Sequence, residues 1–397
     1  MRVPRGYDDA DTGTSAVAPM DCAAEDSAEA GEWGSAPKII EIGPVPFMWH
    51  AFPATTEFYS SWHGETTSAP EQERRIISLA ALPRLVRRLT DSSIDLIVVH
   101  APPFRPWSGR ALARALFRRG AFSGRLALFR SVGAELLRLP VAASIVILDL
   151  EDATTIARSN LFLLDKAVLY FKRELPIDHW QVFAGTAHWR VPTPRFRAQH
   201  RNRGRIAKLR PISLGLPFEV SQWDFSIPGG EKTIDVFFAG RLQNSSTVRA
   251  RGFAELVGLQ RQGYAIDISD TALPLEEYLE RCRHAHLVWS PDGFGWQCFR
   301  TYEAALCGAV PLCSRPSIER YRPLIEGVHA LYYDVEPGEL TRTVTSALAD
   351  RERLRAMGTA AHEHVRAFHT PAAIARHIVD ATAEIAGRRA ALPIGRD

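Results

Sequence analysis

Residues 288–312 set the tightest constraint on the fold, because Val-Trp-Ser-Pro-Asp-Gly-Phe-Gly-Trp-Gln-Cys-Phe-Arg-Thr-Tyr-Glu-Ala-Ala-Leu-Cys-Gly-Ala-Val-Pro-Leu reads as strand, glycine loop, helix, tight turn and strand. A strand returning through a helix to a second strand builds a parallel sheet. Gly293 and Gly295 let the backbone approach a ligand closely, and the helix that follows offers free N–H groups and the positive end of its dipole to an anion. Gly308 is placed to end the helix in the left-handed conformation, with Pro311 just beyond. Arg300 and Glu303 lie three apart on one helical face, while Phe299, Tyr302 and Leu306 define another that packs on the sheet. A guanidinium beside a diphosphate and a carboxylate accepting two ribose hydroxyls would hold a nucleotide-sugar. The same spacing also fits an ordinary surface ion pair.

Around this unit, strand and helix patterns alternate twice. In the first half, Lys38–Gly43 reads as a strand entering a loop that holds Trp49, His50, Trp62 and His63. Helix is expected over 81–89, 111–117 and 126–139, and strand over 94–99 and 144–150, with apolar runs at 161–164 and 167–171. Residues 211–217, Pro-Ile-Ser-Leu-Gly-Leu-Pro, have the punctuation of a linker. The alternation then restarts: strands at 233–238, 266–268 and 285–289, helices at 249–260, 275–283 and 299–307, and helix beyond Leu340. Two such units imply two Rossmann-like parallel-sheet domains facing a central cleft, with ligands at the carboxyl ends of the strands. The expected division is a disordered acidic tail over 1–37, a first Rossmann-like domain over 38–215, a second over 216–370, and a helix and tail over 371–397.

Charge separates the tail from the body. Residues 1–37 hold eight acids against Arg2 and Arg5, so the formal net charge of +3 leaves +9 on the remainder. A basic body suits an anionic partner such as a nucleotide phosphate, or a solvated basic face. Residues 195–210 carry seven basic residues and no acid, and fit a solvated loop or an anionic lipid surface. They carry no nucleic-acid module signature, so no nucleic acid is expected. The five cysteines, Cys22, Cys282, Cys298, Cys307 and Cys313, show no Cys-x-x-Cys spacing and read as reduced thiols. No apolar run marks a signal peptide or a membrane span, and a cytoplasmic protein, with peripheral membrane contact left open, is the expectation. Cys282, His284 and His286 alternate without a second ligand pair, and His362-Glu-His364 is not a zinc motif, so no metal site is expected.

Several segments resemble one family. Glu303-Ala-Ala-Leu-Cys-Gly-Ala-Val-Pro is similar to the Glu-Ala-x-Ala-x-Gly-x-Pro signature of group 1 glycosyltransferases of the GT-B architecture. Asp235-Val-Phe-Phe-Ala-Gly-Arg241 resembles that family's opening of the donor domain, and Phe299-Arg-Thr-Tyr-Glu303 the form found in its spore-maturation-type branch. The likeness runs over roughly 233–385 and includes Tyr332–Leu340 and Leu354–His369. It implies an α/β GT-B fold and an enzyme moving a sugar, of hexosyl type, from a nucleotide-sugar to a hydroxyl of a saccharide, lipid-linked or protein acceptor in polysaccharide or glycoconjugate synthesis. The nucleotide-sugar is then a co-substrate, and no bound cofactor or obligatory metal is implied. Glu303 would bind the donor ribose, Gly240 and Arg241 would face the diphosphate, and Arg300 would support it, with Asp292, Phe294 and Gly295 in the donor loop. Many retaining members place a second Glu eight residues before the first, where this chain has Gly295, so the stereochemical class stays open.

In the first half, strand ends at His100 and at Asp149 and Asp152 are candidates for a general base acting on the acceptor hydroxyl. Each also fits a structural role, as a cleft-rim histidine, a turn carboxylate or a helix cap. Tyr170-Phe-Lys-Arg-Glu174 resembles a segment of some bacterial relatives and carries no assigned role. A nucleotide-sugar epimerase on the same two domains, or a non-catalytic binding or scaffold protein, would share these features.

Overall fold

The computed structural model describes residues 36–60, 74–102, 131–184, 186–188, 191–192, 202–223, 231–242 and 246–391. The expected tail over 1–35, Trp62 and His63, the helix over 111–117, the start of that over 126–139, and the basic residues 193–201 lie outside them.

The first sheet contains β1 (Ile39–Ile42), β2 (Thr56–Ser60), β3 (Arg74–Ile76), β4 (Leu96–His100), β5 (Ser144–Asp149), β6 (Leu169–Lys172) and, beyond a small antiparallel pair β7 (Thr186–His188) and β8 (Val191–Pro192), β9 (Leu209–Pro211). Its order is β3-β2-β1-β4-β5-β6-β9, all parallel. The second sheet contains β10 (Ile234–Ala239), β11 (Ile266–Ser269), β12 (Ala285–Ser290), β13 (Val310–Ser314) and β14 (Leu331–Tyr333), in the parallel order β11-β10-β12-β13-β14. The inner strands, such as Leu-Ile-Val-Val-His in β4 and Ala-His-Leu-Val-Trp-Ser in β12, are buried along their whole length. That is why they read as nearly continuous apolar runs: helices cover both faces of a parallel sheet. In each sheet the strand order reverses once, between β1 and β4 and between β10 and β12, and each reversal opens a crevice at the carboxyl strand ends.

Helices fill the layers: α1 (Phe47–Ala51), α2 (Leu82–Leu89), α3 (Leu161–Lys166), α4 (Arg203–Ile206), α5 (Phe218–Ser221), α6 (Thr247–Arg261), α7 (Leu275–His284), α8 (Phe299–Leu306), α9 (Glu339–Leu348), α10 (Arg351–Phe368) and α11 (Pro371–Ala391). α8 ends at Gly308, whose φ of 68° is the left-handed conformation the sequence calls for. α11 returns to the first domain, where Ile374, Ala375, Ile378 and Val379 share a buried cluster with Ile39, Phe47, Met48 and Leu96.

Three features differ from the sequence expectation. Trp49 and His50 sit in α1 rather than in a loop, because the buried Glu41 carboxylate accepts the N–H groups of Met48 (3.0 Å) and Trp49 (3.2 Å) and so caps a helix from the neighbouring strand. β2 and β3 extend the sheet where no strand is expected, with Glu57 on β2 paired to Arg75 and Arg88. The expected linker begins inside the sheet, since Pro211 closes β9 against Lys172 of β6.

Candidate active site

The crevice of the second sheet is built by two turns. After β10, Gly240 has φ 147°, and a Cβ there would stand 2.6 Å from the Arg300 guanidinium. Arg300 lies directly under this turn, donates to the Ala239 carbonyl (2.7 Å) and stacks on the Phe238 ring at 4.6 Å. After β12, Asp292 to Gly295 fold into a tight loop closed by Gly293 N–H to the Gly295 carbonyl (3.1 Å). Asp292 is fixed by Ser314, which donates to its carboxylate at 2.8 Å and accepts its N–H at 3.1 Å. Ser246 joins the two turns, because its hydroxyl caps α6 by accepting Arg249 N–H and also donates to the Asp292 carbonyl, each at 3.3 Å.

A cavity of about 350 Å³ opens here between the domains. Asp152, Arg173 and Leu214 wall it from one side, and Ser246, Arg249 and the loop from Gly293 to Phe299 wall it from the other. Its size is in the range of a small-molecule site. Arg249 donates to the Arg241 carbonyl at 3.1 Å, and burial together with the nearby Arg300 charge lowers its pKa. The Nε–H groups of Arg249 and Arg300 are both buried without a hydrogen-bond partner among the described residues. Burial works against the Arg300 charge, but Cys298, Tyr278 and Glu303 together hold its pKa above the ordinary value, so it is Arg249 whose charge an anion in the cavity would stabilise.

The sequence candidates separate into groups. Asp152, Phe294 and Gly295 line the cavity, with the Phe294 ring 72 % exposed at its lip. Gly240, Arg300 and Asp292 form the turns behind it, and the Arg241 side chain is exposed. Glu303 is half-buried one helical turn beyond Arg300, where burial pushes its carboxyl pKa up while Tyr278 and Arg300 oppose the shift. Asp149 is buried, with Tyr170 (2.8 Å) and Lys172 (3.1 Å) both donating to one of its oxygens. His100 stands at the crevice of the first sheet, buried, with its ring nitrogen 3.4 Å from Glu41 and its ring stacked on Phe47. His50 stacks on Phe218 at 3.7 Å, and burial lowers its pKa to about 4.

Other residues of the site were not singled out from sequence. Arg249 reads there as one more polar residue at a helix start, although Ser246 three residues earlier is a recognisable cap. Glu151, between Asp149 and Asp152, has its pKa pushed up to about 7 by burial and by those two carboxylates. Gln297 and Glu174 reveal themselves only through contacts between the domains. Gly295 gains a physical reason as well: a Cβ there would stand 2.7 Å from a Glu174 oxygen and 3.3 Å from an Asp152 oxygen. A carboxylate at position 295 would meet two others already in place.

Among the described residues no group of three His, Cys, Asp or Glu side chains converges as metal ligands would, and no helix is long and apolar enough to cross a membrane.

Comparison with known proteins agrees with this architecture. Residues 271–380 match a family model described as Glycosyl transferase-like. A glycosyltransferase from Rickettsia africae superposes with a TM-score of 0.52 at 9% identity, over 88% of this chain and 98% of that one. A sucrose-phosphate synthase from Thermosynechococcus elongatus superposes with a TM-score of 0.50 at 12% identity, over 89% of this chain and 100% of that one. Among curated proteins none matches the chain. The fold is therefore GT-B: two parallel-sheet domains whose strand ends face a shared cleft.

Proposed function

We propose that the chain is a glycosyltransferase that moves a sugar, of hexosyl type, from a nucleotide-sugar donor to an acceptor hydroxyl. The observation that carries this reading is the Arg249 guanidinium in the wall of an interdomain cavity, its Nε–H without a partner among the described residues, with Arg300 behind it under the Gly240 turn. The glycosyl transferase-like match over 271–380 contains the glycine loop and α8, and supports it. In the reaction, the bond between the anomeric carbon and the diphosphate oxygen breaks as the acceptor oxygen bonds to that carbon. Negative charge grows on the leaving diphosphate, and donors fixed in advance stabilise it without reorganising. The two guanidiniums do this, so the reading needs no divalent ion. Glu303 holds the ribose hydroxyls. Asp152, in the cavity wall, is the carboxylate placed to take the acceptor proton. The spore-maturation-type branch is the proposed affiliation, with a saccharide, lipid-linked saccharide or protein as acceptor.

The test is turnover on a panel of UDP-, GDP-, TDP- and CMP-sugars with mixed saccharide acceptors. Release of the nucleoside diphosphate, or of CMP from a CMP-sugar, with a glycosylated acceptor supports transfer. An isomerised donor formed without acceptor would assign an epimerase instead. Glu303→Ala is expected to lower donor affinity greatly with the circular dichroism spectrum unchanged.

A further inference from the structure

The segment Tyr170-Phe-Lys-Arg-Glu174 takes no part in the reaction just described, yet its last two residues hold the donor loop of the second domain. Tyr170 and Lys172 turn back into the first domain and hold Asp149. Arg173 and Glu174, just beyond the strand end, turn outward. Glu174 is 0 % exposed, and its two oxygens accept the N–H groups of Trp296 (2.9 Å) and Gln297 (3.0 Å), more than 120 positions away in the donor loop. Arg173 pairs with Asp152 (2.9 Å) and Glu174 (3.3 Å) and donates to the Gln297 carbonyl. The Gln297 side chain completes the junction: its oxygen accepts from Leu214 N–H and Tyr302 hydroxyl, each at 2.9 Å, and its amide donates to the Arg173 and Ile212 carbonyls. All four of its hydrogen-bonding capacities are used.

We infer that Glu174 is a positioning residue for the donor cavity, a latch by which the first domain fixes the glycine loop of the second. The inference rests on the proposed function for the identity of the ligand, but not for the latch itself. A buried carboxylate holding two backbone N–H groups is a charge-assisted contact, made only when the two domains are together. Burial raises the Glu174 pKa, and the Arg173 charge and the two N–H groups oppose that shift, so the contact favours the ionised form the latch uses. The part of the wall formed by Gly295 and Gln297 is therefore set across the interface. Gly295 is part of the device, because the latch oxygen occupies the space its side chain would need. With the latch broken, the loop samples other conformations, and apparent donor affinity falls by the fraction of time the loop is competent.

The test uses the full chain in three variants: Glu174→Ala, Glu174→Gln and Gly295→Ala. The last attacks the latch from the opposite domain while leaving the carboxylate in place. Two readouts are taken: the ligand-free radius of gyration by small-angle X-ray scattering, and donor affinity by calorimetry with the nucleotide-sugar that binds the wild type. All three variants are expected to expand beyond the wild type with circular dichroism unchanged, and to weaken donor binding about tenfold. Wild-type scattering and affinity in all three would overturn the inference. Loss of fold in all three would overturn it too, by reducing Glu174 to a structural residue. Should the wild type bind no nucleotide-sugar, the proposed function fails, and the scattering comparison alone still decides whether the latch exists.

Discussion

The two sheets reverse strand order in the same way, but their crevices are finished differently. At the first, the groups aimed at the strand ends already have partners: Glu41 holds the N–H groups of α1 and faces His100, and Asp149 is held by Tyr170 and Lys172. At the second, Arg249 lines a cavity with a buried Nε–H that has no partner among the described residues, and Arg300 stands behind it. One crevice is closed by its own carboxylates, and the other has a surplus of positive charge. A fold sets where a ligand can lie, but the unpaired groups determine its chemistry. Here they call for an anion on the second domain, with Asp152 facing it from the first.

The largest expected effect falls on the side with surplus charge. Arg249→Ala removes one of two donors to a diphosphate, and donor affinity is expected to drop about 100-fold by calorimetry, the scale of one lost charge-assisted contact in a dry site. Next is Asp149→Asn, which leaves the Lys172 ammonium, itself 0 % exposed, without its counter-charge. Urea unfolding should show a loss of about 3 kcal/mol. A smaller effect is expected from Glu41→Ala, which strips two N–H groups of α1 of their acceptor and should cost roughly 1 to 2 kcal/mol with donor affinity unchanged. A matching loss of donor affinity would break the contrast between the crevices.

The smallest effect is pH-dependent. Glu151 in the folded chain titrates near 7 against an ordinary value of 4.5, so the folded state holds the extra proton between those values. Stability from this group is present below about pH 4.5 and is lost as pH rises toward 7. Glu151→Gln should therefore raise the melting temperature at pH 8 by roughly 2 °C and change nothing at pH 4. If Glu151 also accepts the acceptor proton, the kcat/KM profile loses its limb near pH 7 in the same variant.

How much was legible in the sequence follows the same divide. β1, β4, β5, β10, β12 and β13 could be read because both faces of each strand are buried, which leaves a mostly apolar run broken only by single buried polar groups such as Glu41, Asp235 and His286. β2 and β3 could not, since Glu57 and Arg75 pair with each other across the sheet edge and look like surface charge when seen apart. α1 was hidden for another reason: its cap is Glu41, six residues before the helix begins and on another element. In the site, Arg300, Asp292 and Gly295 are carried by one continuous segment and are visible there. Glu174 and Gln297 are visible only as residues of unassigned role, because the partners that join them across the domains lie more than 80 positions away. Gly295 is the sharpest case, since a departure from the family pattern becomes intelligible once two carboxylates of the other domain are seen against it.

The central claim is that the surplus positive charge beside the interdomain cavity binds the diphosphate of a nucleotide-sugar. Calorimetric titration of the nucleotide-sugar panel into the wild type and Arg249→Ala, at matched ionic strength, tests it most directly. The account predicts saturable binding of at least one donor to the wild type and about 100-fold weaker binding to the variant. Equal affinity in the two proteins, or no binding of any nucleotide-sugar to the wild type, would contradict it.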